Sequence, residues 1–139
     1  MTAALSVRAV TRAELRAGGL PAGVADPDGL AALHPGKRAA LLDNPLARGE
    51  DDVVQLLGLS DGRVIGRVDL IAGEMVVDRK PLPVVWGSSL AVPEAWRRTG
   101  IGLMLILRMQ SAGPIVGACG ISHVVRPIYE KLNWAQSCP

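Results

Sequence analysis

Apolar and polar positions change period several times along the chain, and each change marks an element. Leu5, Val7 and Val10 open a near-alternating run that predicts a short strand, blurred by Ala9. Thr11 with Glu14 three residues later has the spacing of a helix cap. Residues 18–29 hold four glycines and two prolines and read as loop. Leu30 to Leu33 is too short to assign. Pro35 suits the start of a helix with its body over Lys37 to Leu42, and Asn44-Pro45 ends it.

From Val53 the pattern turns to strands. Val53 to Leu59 is apolar and β-prone, and Ser60-Asp61-Gly62-Arg63 reads as a hairpin turn. Val64, Gly66, Val68 and Leu70 alternate with Ile65, Arg67 and Asp69, which predicts a strand with one wetter face. A second turn falls around Asp78 to Pro81. Val84 to Val92 is apolar on both faces, as in a central strand, and Gly87 inside it marks a bulge or a close backbone approach. The helix predicted from Thr99 to about Ser111 is apolar nearly all round, as buried helices are. Gly113-Pro114 breaks it, and Ile115 to Cys119 is the next strand. Strand, helix and strand in this order predict a right-handed crossover and a parallel pair. A last helix starts at Ser122 or Pro127 and runs to Leu132.

Hydrophobic residues make up 49% and charged residues 20% of the 139, a balance that supports one packed domain over 1–139 and argues against disorder. The net charge of +2 is too small to argue for a nucleic-acid partner, and with no Phe and one Tyr, stacking on bases has little support. No apolar run approaches the roughly 18 residues of a membrane span. The N-terminus lacks the charged and apolar regions of a signal peptide. Cys119 and Cys138 have neither metal nor redox spacing. A cytoplasmic protein with no metal and no membrane partner is the expectation.

The candidate chemistry lies where the strand ending at Val92 gives way to the long helix. Pro93, a short connector, Arg97, Arg98, Thr99, Gly100 and Gly102 fill the junction. The first backbone N–H groups of a helix lack intrahelical partners, and the helix dipole adds positive character there. Glycines let an anion approach the backbone, and arginines add formal charge. Three other motifs fail. Leu105 stands where a dinucleotide fingerprint needs its third glycine. No Gly-Lys-Ser/Thr occurs for a P-loop. Gly87-Ser88-Ser89-Leu90-Ala91 lacks the last glycine of a nucleophile elbow.

What remains, R-x-x-G-x-G after a strand ending in Val-Pro, resembles the phosphate loop of the GNAT acetyltransferase superfamily, Q/R-x-x-G-x-G/A. Arg97, Gly100 and Gly102 fill its fixed positions. A second stretch, Ile128-Tyr129-Glu130-Lys131-Leu132-Asn133-Trp134, is similar to the family's L-Y-E-K-L-G-F. The resemblance covers residues 52–134 well. Residues 1–50 match in layout only, and in the family that part shapes the acceptor pocket.

The resemblance implies an α/β fold of α+β type: a mixed, mostly antiparallel sheet flanked by helices, with a splayed parallel strand pair. It implies that the pantetheine arm of acetyl-CoA enters a gap between Leu90, Ala91 and Val92 on one strand and Val116 to Cys119 on the other, pairing like an added strand. Arg97, Arg98, Thr99, Gly100, Ile101, Gly102 and Leu103 would hold the pyrophosphate. Ser122 stands where the family often has an asparagine that contacts pantetheine. The reaction implied is transfer of an acetyl group from acetyl-CoA to a small-molecule or peptide amine. Such transfer must deprotonate an amine of pKa about 10.4, stabilise an oxyanion and protonate a thiolate. Tyr129 holds the position of the family tyrosine near the CoA sulfur and is the candidate general acid. A backbone N–H of the Leu90–Val92 strand is the implied oxyanion donor.

The general base has no clear candidate. Val84 to Val92 carries no carboxylate, and Ser88 and Ser89 are its only polar side chains. Asp69 and Glu74 could act through water but read first as solvated or turn residues. Glu94 reads as a connector residue, His123 first as a hydrogen-bonded or exposed residue and second as a base, Cys119 as a small core residue, Trp96 as packing, and Arg108 and Arg126 as solvated. Family members continue after the position of Trp134 with one more strand. Its absence here leaves three outcomes: a fragment of a longer protein, a strand supplied by another subunit of a homodimer, or no strand. The missing strand and the missing strand carboxylate keep a non-catalytic acyl-CoA-binding module as the alternative.

Overall fold

A computed structural model describes residues 4–136, so Cys138 lies outside the described residues. The elements in chain order are β1 (Leu5–Thr11), α1 (Arg12–Ala17), α2 (Pro35–Leu42), β2 (Val53–Ser60), β3 (Arg63–Val77), β4 (Lys80–Ala91), a 3-10 turn (Glu94–Trp96), α3 (Ile101–Met109), β5 (Val116–Ala118) and α4 (Arg126–Lys131). The sheet has five strands in the order β1-β2-β3-β4-β5. The first four pair antiparallel, and β4 pairs with β5 in parallel. This is the mixed sheet that the sequence predicts. No strand follows α4 among the described residues.

Local chemistry explains the junctions. Thr11 accepts from the Glu14 N–H while the Glu14 carboxylate takes the Thr11 N–H, a reciprocal cap on α1. Both hairpins turn through positive φ, at Asp61-Gly62 and at Asp78-Arg79, whose twist suits two-residue hairpin loops. Arg12 donates to the carbonyls of Leu41 and Leu42, placing a cation on the C-terminal end of α2.

The sheet buries both faces. On one, Leu56, Val68, Leu70, Ile101, Leu105, Ile106, Met109 and Tyr129 form the larger core under α3 and α4. On the other, Val10, Leu57, Leu59 and Val64 pack with Ala31 and Leu30 of the segment before α2. Two expectations change here. The wetter face predicted for β3 is not wet: Asp69 has no exposure and is met by Lys37 of α2, while Ile65 has none because it packs in the larger core. Nor is α3 buried all round. Ile101, Leu105, Ile106 and Met109 face the sheet, while Leu103 and Leu107 stand 41% and 45% exposed.

The close approach of α3 to the sheet depends on Gly58. A Cβ there would lie 2.5 Å from Ile101 Cγ1 and 3.0 Å from its Cδ1, and Ile101 is wholly buried. Gly58→Ala should therefore lower stability by about 1–3 kcal/mol through overpacking alone. Chemical denaturation checks this, and a variant as stable as the parent would show that α3 can shift freely.

Candidate functional site

The site begins where β4 and β5 part. They pair only from Val85 to Gly87 against Val116 to Ala118, and the last bond runs from the Cys119 N–H to the Gly87 carbonyl at 3.4 Å. The gap therefore lies opposite Cys119 to Ser122. Val116 to Ala118, expected to flank it, are still paired with β4. On its other side β4 is bulged against β3. Asp69 pairs with Ser88 and Arg67 with Ala91, so Ser89 and Leu90 together oppose Val68. Ser89 takes a φ of 56°. Splay and bulge leave the strand between Ser88 and Val92 facing a cleft.

The loop after β4 is held by its own side chains. Arg97 Nε donates to the Val92 carbonyl at 3.1 Å, and Thr99 Oγ1 donates to the Trp96 carbonyl at 2.6 Å. Gly100, at φ 90° and ψ 0°, turns the chain into α3 through the left-handed region that suits glycine. The first helical N–H, of Ile101, reaches Thr99 Oγ1 at 3.4 Å. Those of Gly102 and Leu103 have no partner among the described residues. Arg98 and Thr99 are exposed, and Ile101 can offer only its backbone because its side chain is core.

Two adjoining clefts collect most of the predicted site. The larger, about 570 Å³, is lined by Leu90, Ala91, Val92, Arg97, Gly102 and Ser122, with Leu30, Val125 and Ile128. The smaller, about 80 Å³, is lined by Ser88, Ser89, Leu90, Cys119, Ser122, Val125 and Tyr129. Leu90, Ser122 and Val125 belong to both, so one continuous surface links the glycine loop to Tyr129. A separate cavity of about 480 Å³ sits at the other end of α3, around Ser111, Val84 and Asn44. None of the loop residues lines it.

Tyr129 is 6% exposed, and its ring meets Trp134 edge-on with centroids 4.8 Å apart. Among the described residues nothing hydrogen-bonds its hydroxyl, yet it is not a sealed polar atom, and the residue lines the smaller cleft. Burial raises its pKa above the ordinary 10.0, because the phenolate is the form that loses hydration. The phenol therefore keeps its proton at neutral pH.

Other residues move from their expected places. Cys119, expected in the core, is exposed and lines the smaller cleft, because β5 ends one residue before it. Asp69, read as solvated, has no exposure and is ion-paired with Lys37 at 2.7 Å and Arg67 at 3.2 Å. Glu74, Glu94 and His123 are exposed and line neither cleft. Trp96 packs against the larger core, and Arg126 is exposed. Arg108 is exposed at the rim of the separate cavity. Lys37, read only as helix body, donates to Ser88 Oγ at 3.1 Å and Ser89 Oγ at 2.6 Å. The one sequence signal for that contact is the pair of serines in an otherwise apolar strand.

Tyr129 is the chain's one tyrosine, so tyrosinate absorbance reads it alone. Its midpoint should lie above 10.0 in the folded protein and fall to the ordinary value on unfolding. The linked stability is fully present below the unfolded value and is lost as pH rises through the folded one. A folded-state midpoint at or below the unfolded one would contradict the burial described here.

No protein-family model matches the sequence, and no curated protein shows a significant match. Solved structures do match. An aminoglycoside N-acetyltransferase, AAC(6')-Iy in complex with CoA, is 16% identical with a TM-score of 0.63, over 100% of this chain and 93% of its own. An aminoglycoside acetyltransferase from an uncultured soil metagenomic sample is 16% identical with a TM-score of 0.61, over 98% and 95%. An acetyltransferase of Trypanosoma brucei is 19% identical with a TM-score of 0.57, over 98% and 96%. At these identities the likeness is one of backbone, and it agrees with the strand order, the parallel pair and the flanking helices: the chain has the GNAT acetyltransferase fold.

Proposed function

We propose that this chain is an N-acetyltransferase that moves the acetyl group of acetyl-CoA to an amine, releasing CoA. The observation that carries the reading is the convergence of three separate sequence signals on one surface. The strand Leu90 to Val92, Arg97 and Gly102 of the loop, and Tyr129 border two clefts that share Leu90, Ser122 and Val125. The fit to acetyl-CoA is chemical. The unpartnered N–H groups of Gly102 and Leu103, with Arg97 and Arg98, suit a pyrophosphate. The freed edge of β4 suits an amide-bearing arm. A protonated phenol suits a leaving thiolate. The solved relatives include a CoA complex and aminoglycoside enzymes, which supports a small-molecule amine as acceptor. We place the protein in the cytoplasm, with neither nucleic acid nor membrane as partner.

The residues divide the work. The loop binds and orients the nucleotide end. Leu90, Ala91 and Val92 align the arm so that the acyl carbon lies at the bulge, where a backbone N–H can face the developing oxyanion. Tyr129 gives its proton to the sulfur as the carbon–sulfur bond breaks, and the amine nitrogen forms the new bond and releases a proton to water, from which the phenol is restored. No carboxylate lines either cleft among the described residues.

Two substitutions test the reading. Gly100→Val forces a β-branched residue into a φ of 90° and displaces the helix start. CoA binding by calorimetry should weaken by about 2 kcal/mol or more, roughly 30-fold, and unchanged affinity would remove the loop from the site. Tyr129→Phe should bind acetyl-CoA like the parent yet lose about 10²- to 10⁴-fold in kcat when thiolate departure limits the rate. Melting temperatures must match for either result to count. Parent-like turnover would reduce Tyr129 to a packing residue. Binding without turnover of any amine, in the parent itself, would leave an acyl-CoA-binding module.

A further inference from the structure

We propose that Lys37 and Asp69 clamp the β4 bulge in the backbone shape that the acyl group requires, as positioning residues; this rests on the acetyltransferase reading above. Asp69 on β3 has no exposure. Lys37 reaches it from α2, with Nζ 2.7 Å from Asp69 Oδ2, 3.1 Å from Ser88 Oγ and 2.6 Å from Ser89 Oγ. An ammonium has three donors, and these acceptors engage all of them. Arg67 Nη2 lies 3.2 Å from the same Oδ2, and Gln55 Nε2 donates to Oδ1 at 3.3 Å, so the carboxylate is fixed from two more sides.

The two serines that Lys37 holds stand at the start of the bulge. Ser89, with a φ of 56°, occupies the left-handed region where such bulges commonly carry glycine. A side-chain-bearing residue stays there only when its surroundings over-determine it. The hydroxyl is the handle by which Lys37 does so. Were Ser89 to relax to extended backbone, the N–H groups of Ser89 and Leu90 would turn, and both the oxyanion donor and the edge that receives the arm would be misplaced. Lys37 touches neither cleft. It acts through the serines.

Hydrogen exchange at the amides of Ser88 to Ala91 reads the bulge directly, and steady-state turnover of acetyl-CoA reads its consequence. Lys37→Met should speed that exchange and lower kcat about 10- to 100-fold, with CoA affinity lowered by a smaller factor, because the edge that receives the arm shifts while the loop that holds the pyrophosphate is untouched. Lys37→Met leaves Asp69 buried and paired with Arg67 alone, so Lys37→Met with Asp69→Asn provides a second background without the buried carboxylate. The deciding arm adds Ser89→Gly to each. Glycine adopts the left-handed conformation without a clamp, so slow exchange and kcat should both recover toward the parent. A lysine that merely supports the fold would not be rescued by a glycine on another element. Parent-like exchange and kcat in folded Lys37→Met, or no recovery with Ser89→Gly, would overturn the clamp. If the parent turns over no acetyl-CoA, the acetyltransferase reading fails separately, and the exchange measurements alone decide whether Lys37 holds the bulge.

Discussion

β4 and β5 keep their hydrogen bonds for three residue pairs and then separate, and the rest of the structure has to support that separation. A parallel pair that opens leaves backbone groups without partners on both strands, which a protein interior does not tolerate. Here the opening is edged by the bulge on β4, by the exposed segment Cys119 to Ser122 beyond β5, and by the start of α3. The groups left free face a cleft rather than a core. Unsatisfied backbone at a helix start, beside an unsatisfied strand edge, is a surface ready for a ligand that carries both phosphate and amide groups.

The separation is kept open from both faces of the sheet. Under one, Met109 of α3 packs where Gly87 leaves no side chain, at the last paired position before the strands part. Under the other, the Lys37–Asp69–Arg67 cluster sits against the bulge. Buried ion pairs contribute little net stability, since the Coulomb gain mostly offsets desolvation. Their strength lies in geometry: a carboxylate bonded by a lysine, an arginine and a glutamine has one place to be. That suits a cluster whose neighbours include a strained serine.

The periodic elements were legible because their causes are local. The Thr11–Glu14 cap, the Asp-Gly hairpin and the apolar run of β4 each follow from a few adjacent residues, and their order implied the parallel pair. The glycine loop was legible because helix-start chemistry needs particular residues at fixed spacing. Asp69 was misread for a physical reason: alternation with apolar neighbours marks a second face, but whether water or another segment covers that face depends on residues 26–37, distant in sequence. Lys37 was invisible for the same reason, since its three acceptors lie on β3 and β4, 32 to 52 residues away. The exposure of Leu103 and Leu107 escaped because composition shows how apolar a helix is and not how many of its sides are covered.

The helix that opens the cleft is also the helix that closes the core. Gly102 and Leu103 present their N–H groups outward while Ile101, one residue earlier, is wedged against Gly58 with no exposure. The direction of those N–H groups is thus set by a core contact on the opposite side of the same turn. Anything that lets Ile101 shift by a fraction of an ångström tilts the proposed anion site with it, although Ile101 offers the cleft no side chain. Binding at such a site and stability of the fold are one property seen from two ends: an anion that holds the first turn of α3 also favours the packing of Ile101, and a loosened Ile101 weakens the anion's hold.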